Sequence, residues 1–219
     1  MKRRIGLIHA VRVSIDPIEA AFRRLWPEAR TTNLLDDSLS TDLAEAGALT
    51  PAITERFHRL GRYTADCGAD AILFTCSAFG TAIEEVQRDL TLPVLKPNEA
   101  MIEDAVEAGA RLGLLVTFEP TIASMVPEIE AAASRRGRPV AGVPRFGPGA
   151  MAALNEGRAD EHDARIAEAA RELAGCDAVI LAQFSMARAQ APVAGRVPCP
   201  VLTTPASAVA KLQRLLGTA

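Results

Sequence analysis

Aromatic side chains are scarce: seven Phe, one Tyr and one Trp, 4% of 219 residues. The basic residues are scattered rather than striped and the net charge is −3. The chain therefore offers neither the stacking platforms nor the electrostatic footprint of a nucleic-acid-binding protein. Long apolar runs are missing too. None approaches the roughly 20 residues of a membrane-spanning helix, so no membrane partner is expected and the expected location is the cytosol. Lys2-Arg3-Arg4 followed by Ile5 to Ala10 has the outline of an export signal, but the apolar run is too short and ends in His9-Ala10-Val11-Arg12. It reads as a first strand. The four cysteines have no zinc spacing and, without an export signal, are expected to be free thiols. No Gly-Lys-Ser/Thr follows the glycines and prolines around Phe146, which excludes a phosphate loop. What remains is an enzyme-sized chain with room for a sizeable core and small molecules as partners.

The chain does contain a diluted copy of itself. Arg4-Ile5-Gly6-Leu7 matches Arg111-Leu112-Gly113-Leu114, Gly68-Ala69-Asp70-Ala71 matches Gly175-Cys176-Asp177-Ala178, and Pro93-Val94-Leu95 matches Pro200-Val201-Leu202, all displaced by 107 residues. A period of about half the chain implies two similar lobes rather than a solenoid. Two lobes predict one cleft, with the ends of equivalent strands facing it. The same offset sorts the cysteines. Cys67 falls on Ala174, Cys176 on Ala69 and Cys199 on Leu92, so these three read as small core residues. Cys76 falls on Gln183.

Strand and helix signals alternate. Ile5 to His9 and Arg30 to Leu35 read as strands. Asp16-Pro17-Ile18-Glu19 reads as a capping box opening a helix that runs to about Trp26. Thr50-Pro51 announces a long helix with Ile53, Phe57 and Leu60 on one face, ended by Gly68. Ala71 to Thr75 is continuously apolar, the pattern of a parallel strand covered on both sides. Thr81-Ala82-Ile83-Glu84 reads as another capping box, Pro93-Val94-Leu95 as a short strand and Asn98 to Ala108 as a helix. The second copy supplies strands at Leu112 to Val116, Pro139 to Val143 and Ala178 to Ala182. Its helices start at Glu119-Pro120 and span Asp160 to Leu173, and a final helix covers Pro205 to Leu216. Val143 to Gly149, rich in turn formers, reads as an irregular cleft-lining loop or a connector.

This pattern predicts an α/β fold of two similar lobes, each a parallel sheet flanked by helices, related by internal duplication about a pseudo-twofold. The expected ranges are 1–97, with helix 205–219 packing back on it, and 98–204. Ligands of such sheets bind outside the carboxyl ends of the strands. At the central turn of the first lobe stands Phe74-Thr75-Cys76-Ser77-Ala78-Phe79-Gly80, running into a helix. A thiol there is expected near backbone N–H donors and a positive helix end, both of which favour thiolate. Activation is open to those amides, to the hydroxyls of Thr75 and Ser77, or to a residue brought in by the fold, such as His9, which ends the first strand and has a near-neutral ordinary pKa.

The duplicated lobes, Thr75-Cys76-Ser77 at a strand end, Arg111 to Thr117 opening the second lobe, and Asp177 to Ala182 before a polar turn resemble the aspartate/glutamate racemase superfamily. That superfamily includes hydantoin racemase, maleate isomerase and arylmalonate decarboxylase. The resemblance covers nearly the whole chain and implies an active site between the lobes, no cofactor or metal, a homodimer, and in the racemases one cysteine from each lobe. Inversion at a carbon next to a carboxylate needs a base on one face and an acid on the other. Cys76 matches the first-lobe cysteine, whereas Gln183 takes the second position, and an amide has no useful proton-transfer pKa.

The expected function is therefore a racemase- or isomerase-type enzyme acting through Cys76 on a small amino-acid-like or dicarboxylate substrate, by proton transfer or addition. Gln183 and His9 are its other candidate catalytic groups. Candidate anchors for the carboxylate are Thr75, Ser77, Thr117, Thr121, Ser185 and Thr204, whose commoner use is helix capping. Arg12 could orient an acidic substrate, and Phe79, Phe118, Phe146 and Phe184 could border it. His58 and His162 receive no role. A one-cysteine decarboxylase or lyase, or a diverged carboxylate-binding protein, are the alternatives.

Overall fold

The computed structural model describes residues 2–217; positions 1, 218 and 219 of the expected ranges lie outside the described residues. The described chain forms two compact units, one running to Ala100 and resuming at Ala208, the other Met101–Ser207.

The first unit is built from β1 (Arg4–His9), α1 (Ile15–Leu25), β2 (Arg30–Leu35), α2 (Leu39–Ala46), α3 (Pro51–Asp66), β3 (Ala71–Phe74), α4 (Gly80–Asp89), β4 (Val94–Leu95) and the start of α5 (Glu99–Ala108). Its sheet has the order β2-β1-β3-β4, with every pair parallel. The second follows with the rest of α5, β5 (Arg111–Val116), α6 (Thr121–Arg135), β6 (Ala141–Phe146), α7 (Ala150–Asn155), α8 (Ala159–Ala170), β7 (Ala178–Leu181), α9 (Gln190–Ala194), β8 (Val201–Thr203) and the start of α10 (Thr204–Leu215), which belongs to the first unit from Ala208 on. Its order is β6-β5-β7-β8, again all parallel. The α/β architecture of two parallel sheets flanked by helices is the one the sequence predicts.

The repeat is kept to the residue. Ile5 pairs with Ala71 and Leu112 with Ala178, Ile72 with Val94 and Val179 with Val201. Two repeated side chains explain why. Asp70 Oδ2 accepts the Arg4 N–H at 2.7 Å and Asp177 Oδ2 accepts the Arg111 N–H at 2.8 Å, so each aspartate occupies the first free donor of the neighbouring strand. Gly6 and Gly113 sit where helices press on the sheet: a Cβ on Gly6 would overlap the Thr64 methyl, and one on Gly113 would lie 3.0 Å from Leu173. The central strands β3 and β7 are buried at every residue, as their unbroken apolar runs require. The ring of Phe57 packs on Phe74, at the end of β3, and on Phe79, with centroids 5.4 and 4.7 Å away, the first pair stacked and the second tilted.

Two expected capping boxes are not made. At both sites a 3-10 turn, Arg12–Ser14 or Ser77–Phe79, runs straight into the helix, so the chain is already helical where the cap was expected. Asp16 and Pro17 therefore lie inside the first turn of α1, while Glu84 pairs with Lys96 at 2.6 Å. Thr50 does cap α3, accepting the Ile53 N–H at 3.3 Å, with Pro51 in the first helical position. Val143 to Phe146 is not irregular but the second half of β6. This is an edge strand, where Pro144 forfeits no ladder bond that a second neighbour would need. Helices α2, α7 and α9, of 8, 6 and 5 residues, are too short for periodicity to reveal. Among the described residues no helix is long and apolar enough to cross a membrane.

Asp70 also accepts from Arg3 at 3.0 Å, and these bonds hold its carboxyl below the usual range, the Arg4 N–H contributing most. A depressed folded pKa contributes stability that is present above the unfolded value near 4 and lost as pH falls through the folded one. Asp70→Ala is expected to cost roughly 1 kcal/mol in urea unfolding at neutral pH, discounted for partial exposure. The gap from wild type should shrink below about pH 4.

Candidate active site

Strand β3 is sealed on both faces, so the first residues able to present polar chemistry are those that follow it. Thr75 is 4% exposed. Its N–H continues the sheet to the Ile8 carbonyl at 3.0 Å, and its side chain turns inward. There Thr75 Oγ1 lies 2.8 Å from His9 Nδ1 and 2.9 Å from Ser14 Oγ. The His9 ring is fully buried, and its Nε2 meets Asn33 Oδ1 at 2.9 Å. Asn33 Nδ2 in turn donates to Glu19 at 2.6 Å. Burial lowers the imidazole pKa, offset in part by the Asn33 bond and the Glu19 charge.

Cys76 follows in extended conformation and precedes the 3-10 turn Ser77–Phe79. Its side chain is half-buried and packs on the core formed by Ile8, Phe74, Phe79 and their neighbours. Burial pushes the thiol above an ordinary cysteine, and an N–H from Ala78 offsets this only in part. The sequence led to the opposite expectation. The amide donor is present, but α4 begins only at Gly80, and desolvation of a thiolate among hydrocarbon is the larger effect. Ser77 is exposed on the turn.

In the second unit the turn after β7 holds Gln183, whose Oε1 accepts both the N–H of Thr117 at 2.8 Å and its hydroxyl at 3.0 Å. The carbonyl end of the amide is thus committed to the turn after β5, leaving Nε2 as the donor. Thr121 opens α6, its N–H bonded to the Phe118 carbonyl at 3.0 Å. Ser185 is half-buried in the 3-10 turn Phe184–Ala189. Thr204 is fully buried, its hydroxyl 3.5 Å from the Met101 sulfur. Phe118, two residues past the end of β5, and Phe146, the last residue of β6, are exposed, whereas Phe79 and Phe184 are buried, Phe79 against Phe57.

Thus His9 and Thr75 are joined next to Cys76, and Thr117 is joined to Gln183. No side-chain hydrogen bond links Thr121 or Ser185 to another candidate among the described residues. Arg12 is spent on Asp37 at 2.6 Å. His58 lies 3.4 Å from both Glu85 and Asp89 in a groove floored by α3 and α4, and His162 is buried beside Asp163. Among the described residues no three His, Cys, Asp or Glu side chains are grouped to hold a metal. Sequence reasoning missed Ser14, Asn33 and Glu19. The signal was there in the repeat, where His9 and Thr75 fall on Val116 and Ala182, polar residues on apolar ones.

The sequence model of the Asp/Glu/hydantoin racemase family matches residues 8–212. The chain belongs to this family. Solved structures with the same fold include an aspartate racemase homologue from Pyrococcus horikoshii OT3, at a TM-score of 0.72 and 18% identity over 99% of this chain and 100% of that one. Allantoin racemase from Klebsiella pneumoniae aligns at 0.72 and 15%, over 99% and 88%. A cysteine-for-glycine mutant of arylmalonate decarboxylase aligns at 0.67 and 17%, over 98% and 93%. No curated protein has significant sequence similarity to the chain.

Because burial holds Cys76 as the thiol, peptide-resolved alkylation with iodoacetamide should give it a midpoint above about 8.5, the value of a free cysteine. Exposed Cys67 serves as the internal reference. A Cys76 midpoint below that of Cys67 would contradict the assignment.

Proposed function

We propose that the chain is a cofactor-independent racemase- or isomerase-type enzyme in which Cys76 transfers a proton at a carbon next to the carboxylate of a small substrate. The observation that carries this reading is the placement of Cys76. It is the half-buried residue at the end of the sealed central strand β3, it receives an N–H from Ala78, and it lies in a chain of the racemase family. A thiol that rests protonated is a proton donor first. When a carbanion forms beside the carboxylate, the S–H proton passes to carbon, the S–H bond pair stays on sulfur, and the Ala78 N–H faces the thiolate so formed. Ser77 is the donor proposed to hold the carboxylate beside Cys76, and Gln183 Nε2, Ser185 and Thr121 are the donors proposed for a carboxylate in the second unit, which also presents exposed Phe118 and Phe146. Thr75, Thr117 and Thr204, with buried hydroxyls, serve the turns that carry these groups.

One observation favours a second reading. Gln183 stands at the position equivalent to Cys76 and supplies no exchangeable acid or base, so a proton can be handled by thiol from one residue only. This suits a lyase that loses carbon dioxide: the C–C bond breaks, its electron pair remains on carbon, and Cys76 delivers the proton.

A panel of small dicarboxylates, hydantoins and substituted malonates, followed by chiral chromatography and by carbon dioxide release, separates the two. Turnover of at least one member is expected, with Cys76→Ser lowering kcat by about a hundredfold or more, the usual range for a lost proton-transfer group. A panel member that binds and shields Cys76 from alkylation without turning over would instead mark a carboxylate-binding protein.

A further inference from the structure

The polar chain beside Cys76 is oriented from its carboxylate end. A carboxylate only accepts, so Glu19 takes its bond from Asn33 Nδ2. That leaves Asn33 Oδ1, also an acceptor, facing His9, and Nε2 must carry a proton to donate to it. In the neutral ring Nδ1 is then the acceptor, and the nearer hydroxyl, Thr75 at 2.8 Å against Ser14 at 3.2 Å, donates to it in preference to the Ile8 carbonyl at 3.4 Å. Ser14 Oγ, 2.9 Å from both the Val11 carbonyl and Thr75 Oγ1, closes the chain with its single proton shared between these two acceptors. One imidazole thereby ties together the carboxyl ends of three adjacent strands, β2, β1 and β3.

The second unit makes the same strand ends without any of this. Val116 stands for His9, Ala182 for Thr75 and, by register opposite Leu114, Pro144 for Asn33. The backbone bond at the same step is retained, from the Ala182 N–H to the Leu115 carbonyl at 3.2 Å. A scaffold that forms one copy with valine and alanine does not need a buried histidine for the other, and burying polar groups costs free energy unless each is satisfied. The unit that carries the expense is the unit that carries Cys76.

We infer that Glu19, Asn33 and His9 are positioning residues: they hold the Thr75 hydroxyl, and with it the peptide leading into Cys76, in one orientation, with His9 acting as the neutral Nε2–H tautomer. The inference rests on Cys76 being the reactive group, but its test does not depend on turnover. Nitrogen-15 NMR of the imidazoles, with the His9 signals assigned by their loss in His9→Gln, should show a protonated Nε2 and an accepting Nδ1 at neutral pH. Thr75→Val should shift the ratio of Cys76 to Cys67 alkylation rates by about fivefold, the factor that one net hydrogen bond is worth. Thr75→Ser, which keeps the hydroxyl, should restore the wild-type ratio. A His9 ring protonated on Nδ1 alone overturns the inference whether or not the variants fold. So does an unchanged rate ratio in folded Thr75→Val. If that ratio stays fixed while Cys76→Ser loses turnover, the positioning role fails and the proposed chemistry stands. If the ratio shifts while Cys76→Ser keeps turnover, the chemistry fails and the positioning role stands.

Discussion

The complete burial of the two central strands is the constraint from which the candidate site follows. Ala71–Phe74 and Ala178–Leu181 are covered on both faces, and each pairs on both edges with a parallel neighbour. A polar side chain along a strand in that position costs free energy unless a partner satisfies it. Chemistry is therefore displaced to the carboxyl end, where the backbone leaves the sheet and turns toward a helix. Thr75-Cys76-Ser77 and Gln183-Phe184-Ser185 are what each unit places there.

Duplication makes the differences between the units as informative as their agreement. Shared features, the aspartates at the strand starts and the close-packed glycines, are those the fold requires. Even where sequence spacing differs, a need can be met twice: Gln87 of α4 and Gln190 of α9 donate to the equivalent carbonyls of Val94 and Val201, at 2.8 and 2.9 Å. Features held by one unit alone are not required by the fold. The first unit invests in a buried imidazole chain and a thiol, the second in an amide that braces its own turn through Thr117.

Most of the architecture was legible because it rests on local signals repeated at one spacing. Strand β2 was read at its observed bounds, and β1, β3, β4, β5 and β7 within a residue, because apolar runs and turn formers punctuate them clearly; β6 was read two residues early at its start and three at its end, because Pro144 resembles a turn former. The capping boxes failed because a local motif cannot reveal a 3-10 turn entering the helix ahead of it. Cys76 could be singled out by strand-end position, but its ionisation could not, since that depends on how much hydrocarbon the fold wraps around the sulfur. His9 was visible as a polar strand end, yet its partners lie 5, 24 and 66 residues away in sequence, the first brought back by the 3-10 turn after β1 and the other two by parallel pairing.

The stereochemical course of proton delivery bears on the central claim most directly. For a substrate found to turn over in deuterium oxide, one thiol acting without a second should place deuterium at the carbon next to the carboxylate in a single configuration, and Cys76→Ser should abolish its incorporation. Equal labelling of both enantiomers at the earliest times, or labelling that persists in Cys76→Ser, would contradict the account.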